Sequence, residues 1–226
     1  MTQIPFKAVA VDLDGTFLTE KKTFDHALFA KVLRKLQANQ IPFICATGNQ
    51  LIRSHEYFDE FTNEVDYVSE NGAILEADGK VFKRIAIDYK IAQKLLHFIQ
   101  TEYPEAIIMV SAQHHCYILK SMDQADKDDI RIYYRDVQEI DRFTDIDPAD
   151  AILKVCLTAD DELAQVIQDR FNEKYGENDI DMLKACGYSY AMKNANAKAK
   201  AVAKYEAPTN DENGVLKVLA KYLDID

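Results

Sequence analysis

At 226 residues with a formal net charge of −11, the chain lacks the basic surface that displaces counterions from a nucleic-acid backbone. Its 48% hydrophobic and 29% charged residues are ordinary for a globular protein and suffice to bury a core in one large or two modest domains. No apolar run approaches a membrane span and the N-terminus has no signal-peptide pattern, so neither a membrane nor a secretory role is expected.

Taken in order, the first element is Phe6 to Leu18, FKAVAVDLDGTFL. Ala8, Val9, Ala10 and Val11 form a short apolar run that predicts a strand buried on both faces, as in a parallel sheet covered by helices. Asp12 and Asp14 follow at its carboxyl end, where open α/β sheets place their ligands. Two carboxylates so close repel each other and call for a cation between them. Oxygen ligands suit Mg²⁺. By itself an Asp-x-Asp after a strand is most often a turn, and the wider string with Gly15 and Thr16 is what makes it specific.

Asp25 to Asn39 predicts a helix capped by Asp25, with Leu28, Val32, Leu33 and Leu36 at helical spacing. Ile41 to Ala46 then repeats the opening design, a buried strand ending in Thr47–Gly48–Asn49. A hydroxyl and glycine-permitted amides at a strand end suit a phosphate oxygen. A third strand over Val65 to Ser69 leads into Glu70–Asn71–Gly72–Ala73, where Asn71 is either a turn residue or a substrate contact. Asp78–Gly79 between two short apolar stretches predicts a hairpin.

From about Ile87 the text changes. Tyr89 to Glu102 has a helical period, Ile107 to Val110 and Cys116 to Leu119 read as strands, and Asp123 to Asp129 is an acidic polar stretch. Ala151 to Leu157 predicts another strand and Asp160 to Lys174 an amphipathic helix. His114–His115 does not predict a metal site, because neighbours on a strand point to opposite faces. Cys45, Cys116, Cys156 and Cys186 stand singly, without metal or CxxC spacing. Each is expected as a small buried hydrophobe in a reduced, cytoplasmic setting. Beyond them come Gly176-Glu177-Asn178-Asp179-Ile180-Asp181-Met182-Leu183, a strand within Gly187 to Met192, a Lys- and Ala-rich helix, and Asn210-Asp211-Glu212-Asn213-Gly214 opening a last helix to Leu223.

Together these strings resemble the haloacid dehalogenase (HAD) superfamily of aspartate-nucleophile phosphatases, and within it the Cof-like hydrolases. The run ending in Asp12-Leu13-Asp14-Gly15-Thr16 resembles the first signature, Ala46–Thr47–Gly48 the second, Ser69 to Ala73 a string frequent in Cof-like members, and Gly176 to Leu183 the fourth. The resemblance implies an α/β fold: a Rossmann-like core with a parallel sheet over residues 1–84 and 176–226, plus an inserted α/β cap domain of the C2 type over 85–175. It implies a nucleophile at Asp12 and a general acid–base at Asp14. It also implies phosphate or substrate contacts at Thr47, Gly48, Asn71 and Asn178. Mg²⁺ would be held by Asp12, the Asp14 backbone carbonyl and a fourth-signature carboxylate, Asp179 or else Asp181. The implied activity is hydrolysis of a phosphate monoester on a small phosphorylated metabolite, with a sugar phosphate as one candidate, in a monomer or dimer.

The sequence departs from the family in three places. Asn49 stands where many relatives carry Arg. The third-signature Lys, usually in a string like GVSKG, has no match, since Lys154 lies in a cap-like strand and Lys198 and Lys200 follow the fourth motif. Tyr175 precedes Gly176 where the family has a Gly-Asp pair on a buried strand. A unit of about 30–50 residues is therefore expected to be missing between Phe171 and Asn178. A phosphomutase or phosphotransferase using the same residues is a second enzyme reading, and the losses favour a third, an inactive module that binds a phosphometabolite or a protein partner.

Overall fold

The computed structural model describes residues 4–158 and 187–225. The expected helix over 160–174, the Gly176–Leu183 string with Asn178 and Asp179, the interval Phe171–Asn178 and Cys186 lie outside these residues.

One sheet runs β1 (Val9–Val11), β2 (Phe43–Ala46), β3 (Asp66–Ser69), β4 (Ile74–Ala77) and β5 (Lys80–Arg84) in that spatial order. β1, β2 and β3 pair in parallel, with Ala10 opposite Ile44 and Cys45 opposite Tyr67. β4 and β5 return antiparallel through the Asp78–Gly79 turn, where both residues have positive φ. The α/β class with a parallel sheet is as the sequence predicts. β1 differs from expectation. Among the described residues it is the outermost strand, Ala10 is exposed, and Val11 alone of its three residues is fully buried.

Between β1 and β2 runs α1 (His26–Ala38), whose Asp25 side chain accepts the Leu28 N–H as a cap, as its sequence predicts. Its buried face, Phe29, Val32, Leu33 and Leu36, packs into a core rich in phenylalanine. Phe29 lies at the centre of this core, with ring centroids 5.4 Å from Phe17, 5.1 Å from Phe43 and 5.0 Å from Phe61. Edge-on arrangements of this kind add to the area each ring buries. The last helix, α6 (Gly214–Tyr222), contributes Leu216 and Leu219 to the same cluster.

A second unit forms its own four-stranded sheet in the order β8 (Val137–Ile140), β7 (Cys116–Leu119), β6 (Ile107–Ala112), β9 (Ile152–Thr158). α3 (Tyr89–Glu102) covers one face with Ala92, Leu96 and Ile99, and Ile108, Val110, Tyr117 and Ile152 meet it from the sheet. The acidic polar stretch from Asp123 forms the N-cap and first turns of α4 (Gln124–Tyr133), which closes on the sheet through Lys127 bonded to Glu139 and to the Lys120 carbonyl. A small parallel pair, β10 (Tyr190–Met192) with β11 (Tyr205–Ala207), brackets the short helix α5 (Ala197–Val202). No described helix is long and apolar enough to cross a membrane. Cys45 and Cys116 are buried as expected, whereas Cys156 is only half-buried.

The β6–β7 hairpin is anchored on one buried carboxylate. Asp150 accepts bonds from the His114 N–H at 2.9 Å and the Tyr117 hydroxyl at 2.9 Å, and pairs with His115 Nδ1 at 2.8 Å. The two histidines thus brace the hairpin, His114 through its backbone N–H and His115 through its ring. Burial works against ionising Asp150, but the bonds from His115, the His114 amide and Tyr117 prevail and hold its carboxyl below the ordinary range.

Two measurements check this packing. Phe29→Ala should cost about 3–5 kcal/mol in chemical denaturation, the usual penalty for emptying a large buried aromatic site. A lowered carboxyl contributes stability that is fully present above the unfolded carboxylate range, near pH ~3.9, and is lost as pH falls through its folded value. Asp150→Asn should therefore flatten the acid limb of a stability–pH profile measured below about pH 4.

Candidate functional site

The site is assembled where β1, β2 and β3 end. Asp12 follows β1 directly, and its carbonyl accepts the Phe17 N–H at 3.1 Å while Leu13 accepts from Leu18 at 2.9 Å. These two bonds wind Leu13–Phe17 into one irregular turn. Asp14 (ψ 122°) and Gly15 (φ 71°) leave helical geometry inside it, which requires a residue without Cβ strain at Gly15. Leu13 and Phe17 point into the core and Asp12 and Asp14 point out. Anchoring the turn by its apolar residues presents both carboxylates at the sheet edge.

Asp14 is held on both oxygens. Lys22 pairs with Oδ1, and the Asn49 amide donates to Oδ2 at 2.8 Å. The hydrogen bond to Asp14 raises the Lys22 pKa, against a smaller opposing effect of burial. Asn49, the departure from the family pattern, therefore has a definite task, and Lys22 is a cation that sequence reading missed. Lys22 sits eight positions from its partner in a loop with no periodicity, so nothing local marked it. Its ammonium also lies 5.9 Å from the Tyr133 ring of α4.

The end of β2 supplies the second turn. Thr47 is buried, its N–H donates to the Val68 carbonyl, and its Oγ1 accepts the Asn49 N–H at 3.2 Å. Beside it Glu70, Asn71 and Gly72 are three successive residues with positive φ (53°, 55° and 89°). This curl lets Glu70 N–H reach the Asn49 carbonyl and Asn71 N–H the Thr47 carbonyl. A Cβ at Gly48 would stand 2.6 Å from Asn71 Oδ1, so a side chain there would push the Asn71 amide aside. Thr47, Gly48 and Asn71 are thus brought together, with Asn71 exposed towards solvent. The buried Cys45 thiol is pushed well up, by burial first and then by the charges of Asp12 and Asp14, which marks both carboxylates as its neighbours.

The Asn210–Gly214 segment holds the loop after Asp14 from behind. Asn210 donates to the Leu18 carbonyl at 2.9 Å, Asp211 accepts the Glu20 N–H at 2.8 Å, and Asn213 accepts the Asp25 N–H at 3.0 Å. Asn194 adds a bond to the Gly15 carbonyl at 3.2 Å. These bonds brace the Asp12–Asp14 turn at Gly15 and the loop that follows it from Leu18 to Asp25.

The second unit meets the same edge. Arg135 forks onto both oxygens of Glu56 in α2 (Leu51–Phe58), at 2.8 and 2.7 Å, and its N–H donates to Gln50 Oε1. Paired first with Arg135 and also with Arg53, the Glu56 carboxyl is lowered in spite of burial. Lys154 of β9, set aside in the sequence because it lies in a cap-like strand, reaches the Gly48 carbonyl at 2.6 Å. Asp12 and Asp14 are both exposed at this edge. Asn178 and Asp179 fall outside the described residues.

The geometry agrees with what the chain is similar to. A family model described as haloacid dehalogenase-like hydrolase matches residues 9–177 and, in a second piece, 176–219. The 5-amino-6-(5-phospho-D-ribitylamino)uracil phosphatase YbjI of Escherichia coli (strain K12) is 30% identical over 264 aligned positions, which cover 96% of each chain. A phosphoglycolate phosphatase of Methanothermobacter thermautotrophicus is 25% identical over 225 positions, covering 96% of this chain and 99% of that one. A solved protein of Streptococcus mutans UA159 superposes with a TM-score of 0.89 at 26% identity, over 96% of this chain and 99% of its own. With the model spanning most of its length and the two carboxylates on their turn at the end of β1, this chain belongs to the haloacid dehalogenase-like hydrolases.

Proposed function

We propose that the protein hydrolyses a phosphate monoester on a small metabolite. The observation that carries this reading is the juxtaposition of Asp12 and Asp14 on the β1 turn with the Thr47–Gly48–Asn49 turn of β2, tied together by the Asn49–Asp14 bond. Asp12 attacks phosphorus as a carboxylate. The leaving alkoxide takes a proton from the Asp14 side chain, and Asp14 then removes one from the water that hydrolyses the aspartyl-phosphate. Splitting the displacement into two steps is the usual gain of a covalent nucleophile. The Thr47 hydroxyl, the Gly48–Asn49 amides, Asn71 and Asn178 hold the non-reacting oxygens. Residues 85–175 act as the cap over a core of residues 1–84 and 176–226, and their side chains choose the metabolite. The Escherichia coli relative, a phosphatase for a phosphoribityl compound, favours a sugar-like phosphate within this class.

Mg²⁺ fits the donors at this edge, with the Asp12 carboxylate and Asp14 carbonyl as ligands and Asp179 as the third. Its charge would offset the repulsion between a carboxylate and a phosphate dianion, about 4 kcal/mol per pair of unit charges at 4 Å near a protein surface.

A second reading is favoured by one observation. The family match breaks at residues 176–177, and 264 aligned positions against 226 residues leave at least 38 positions of the Escherichia coli relative without a counterpart here. The third-signature Lys and the Gly-Asp pair belong to the unit expected to be missing there. Without them the 226-residue chain would bind phosphometabolites without turning them over. Phosphoryl transfer to another acceptor uses the same residues and is separated by product analysis alone.

Turnover of an aryl phosphate, followed with and without Mg²⁺, decides between these readings. Activity that stops in EDTA and returns with Mg²⁺ is expected for the hydrolase, and full activity in chelator would remove the metal from the mechanism. Asp12→Asn should abolish turnover with the fold intact, because the amide is nearly isosteric but carries no nucleophilic charge. Retention of more than about a few per cent of the wild-type rate would show that Asp12 is not the nucleophile.

A further inference from the structure

The contact between Lys154 and the β2 turn carries more than packing. Glu70 is buried, 3% exposed, and its left-handed backbone turns its side chain away from solvent. Ser111 Oγ donates to Glu70 Oε1 at 3.0 Å. Lys154 Nζ stands 3.0 Å from Oε2, as an ion pair rather than an aligned hydrogen bond. Ser111 and Lys154 are register partners on β6 and β9, so strand pairing alone delivers a hydroxyl and an ammonium to one carboxylate. The same ammonium donates to the Gly48 carbonyl at 2.6 Å and lies 5.3 Å from the Tyr134 ring.

From this we infer that Lys154 is a positioning residue for the phosphate-binding turn, and that Glu70 keeps it in place. The inference rests on reading Thr47–Gly48–Asn49 as the phosphate site. In a trans peptide the carbonyl and the following N–H point in opposite directions. Pinning the Gly48 carbonyl to Lys154 therefore aims the Asn49 N–H the other way, onto Thr47 Oγ1 and the face that would receive a phosphate oxygen. The Asn49 side chain at the same residue holds Asp14, so one cation from β9 sets the orientation of an anion donor and of the Asp14 clamp together.

Stability alone does not account for the arrangement. A buried ion pair is generally no better for stability than well-packed apolar side chains of the same volume. Here the pair sits on a turn with three consecutive positive-φ residues, and Glu70 N–H is itself bonded to the Asn49 carbonyl. Lys154 and Glu70 thus grip both ends of the Gly48–Asn49 segment, one through a carbonyl and the other through an N–H.

The test measures inorganic phosphate binding by calorimetry, together with KM and kcat for an aryl phosphate, in Lys154→Met and in the double variant Glu70→Gln/Lys154→Met. The single variant strands a buried carboxylate and is at risk of unfolding, whereas the double variant leaves no buried charge and still lacks the bond to Gly48. Phosphate affinity is expected to fall about tenfold in the double variant, the loss of roughly one well-aligned hydrogen bond, with KM rising more than kcat falls. A folded double variant that binds phosphate as tightly as wild type overturns the inference. So does a wild-type protein that binds no phosphate. Should Asp12→Asn retain turnover while the double variant loses phosphate affinity, the nucleophile assignment falls and the positioning role stands.

Discussion

The constraint on which the rest of the structure depends is the placement of two carboxylates, two residues apart, where an acidic protein must receive an anion. With a net charge of −11, the chain has no general positive field to draw on, so every favourable charge at the site has to be local. The Asp12–Asp14 turn is made rigid by burying Leu13 and Phe17 beneath it and by three side chains of the Asn210–Asn213 segment behind it. Asp14 is then neutralised by Lys22 and fixed by Asn49. The aromatic core around Phe29 serves this arrangement, because Phe17 belongs both to that core and to the turn that carries the acids.

How much of this could be read from the sequence depended on the distance over which each interaction acts. The Asp25 cap, the α1 face and the Asp78–Gly79 hairpin are local, and each lies where its residues predict. Asp12, Asp14, Thr47 and Gly48 could be placed at strand ends because a strand followed by a turn is a local pattern, whereas the roles expected of them came from the wider strings and the resemblance they carry. α4 was hidden because its acidic residues reflect solvent exposure, while the contact that fixes it, Lys127 with Glu139, joins separate elements. β8 reads Val-Gln-Glu-Ile and lies at the edge of its sheet, too short and too polar to stand out. The exposed face of β1 is a tertiary fact, set by which strands pair beside it, and its apolar run could not disclose that.

The missed charges follow the same rule. Lys154 lies 106 positions from Gly48, and only folding brings them together. Reading Lys154 by its strand placed it correctly in the second sheet. It could not show that this sheet turns the lysine towards the core. The Asn49 departure had looked like a lost cation. In the structure the amide takes one oxygen of Asp14 and Lys22 the other, so the positive charge is supplied from a different part of the chain.

Among the contacts that join the second unit to the core, two ion pairs sit in different environments, which gives them different roles. Arg135 and Glu56 are about one-third exposed, so solvent screens them and their geometry contributes specificity more than energy. Lys154 and Glu70 are nearly inaccessible, with side chains 10% and 2% exposed, and neither can lose its partner without leaving a charge in a poorly solvated place. Separating the second unit from this edge would therefore cost more at Lys154 than at Arg135. The costlier contact, Lys154 with Glu70, is the firmer tie between the two units. It lies beside the chain crossing, where Ile87 N–H bonds to the Ile152 carbonyl and Ile85 N–H to the Ala73 carbonyl. Lys154 is thereby tied at once to the Gly48 carbonyl and to the place where the chain passes between the two units.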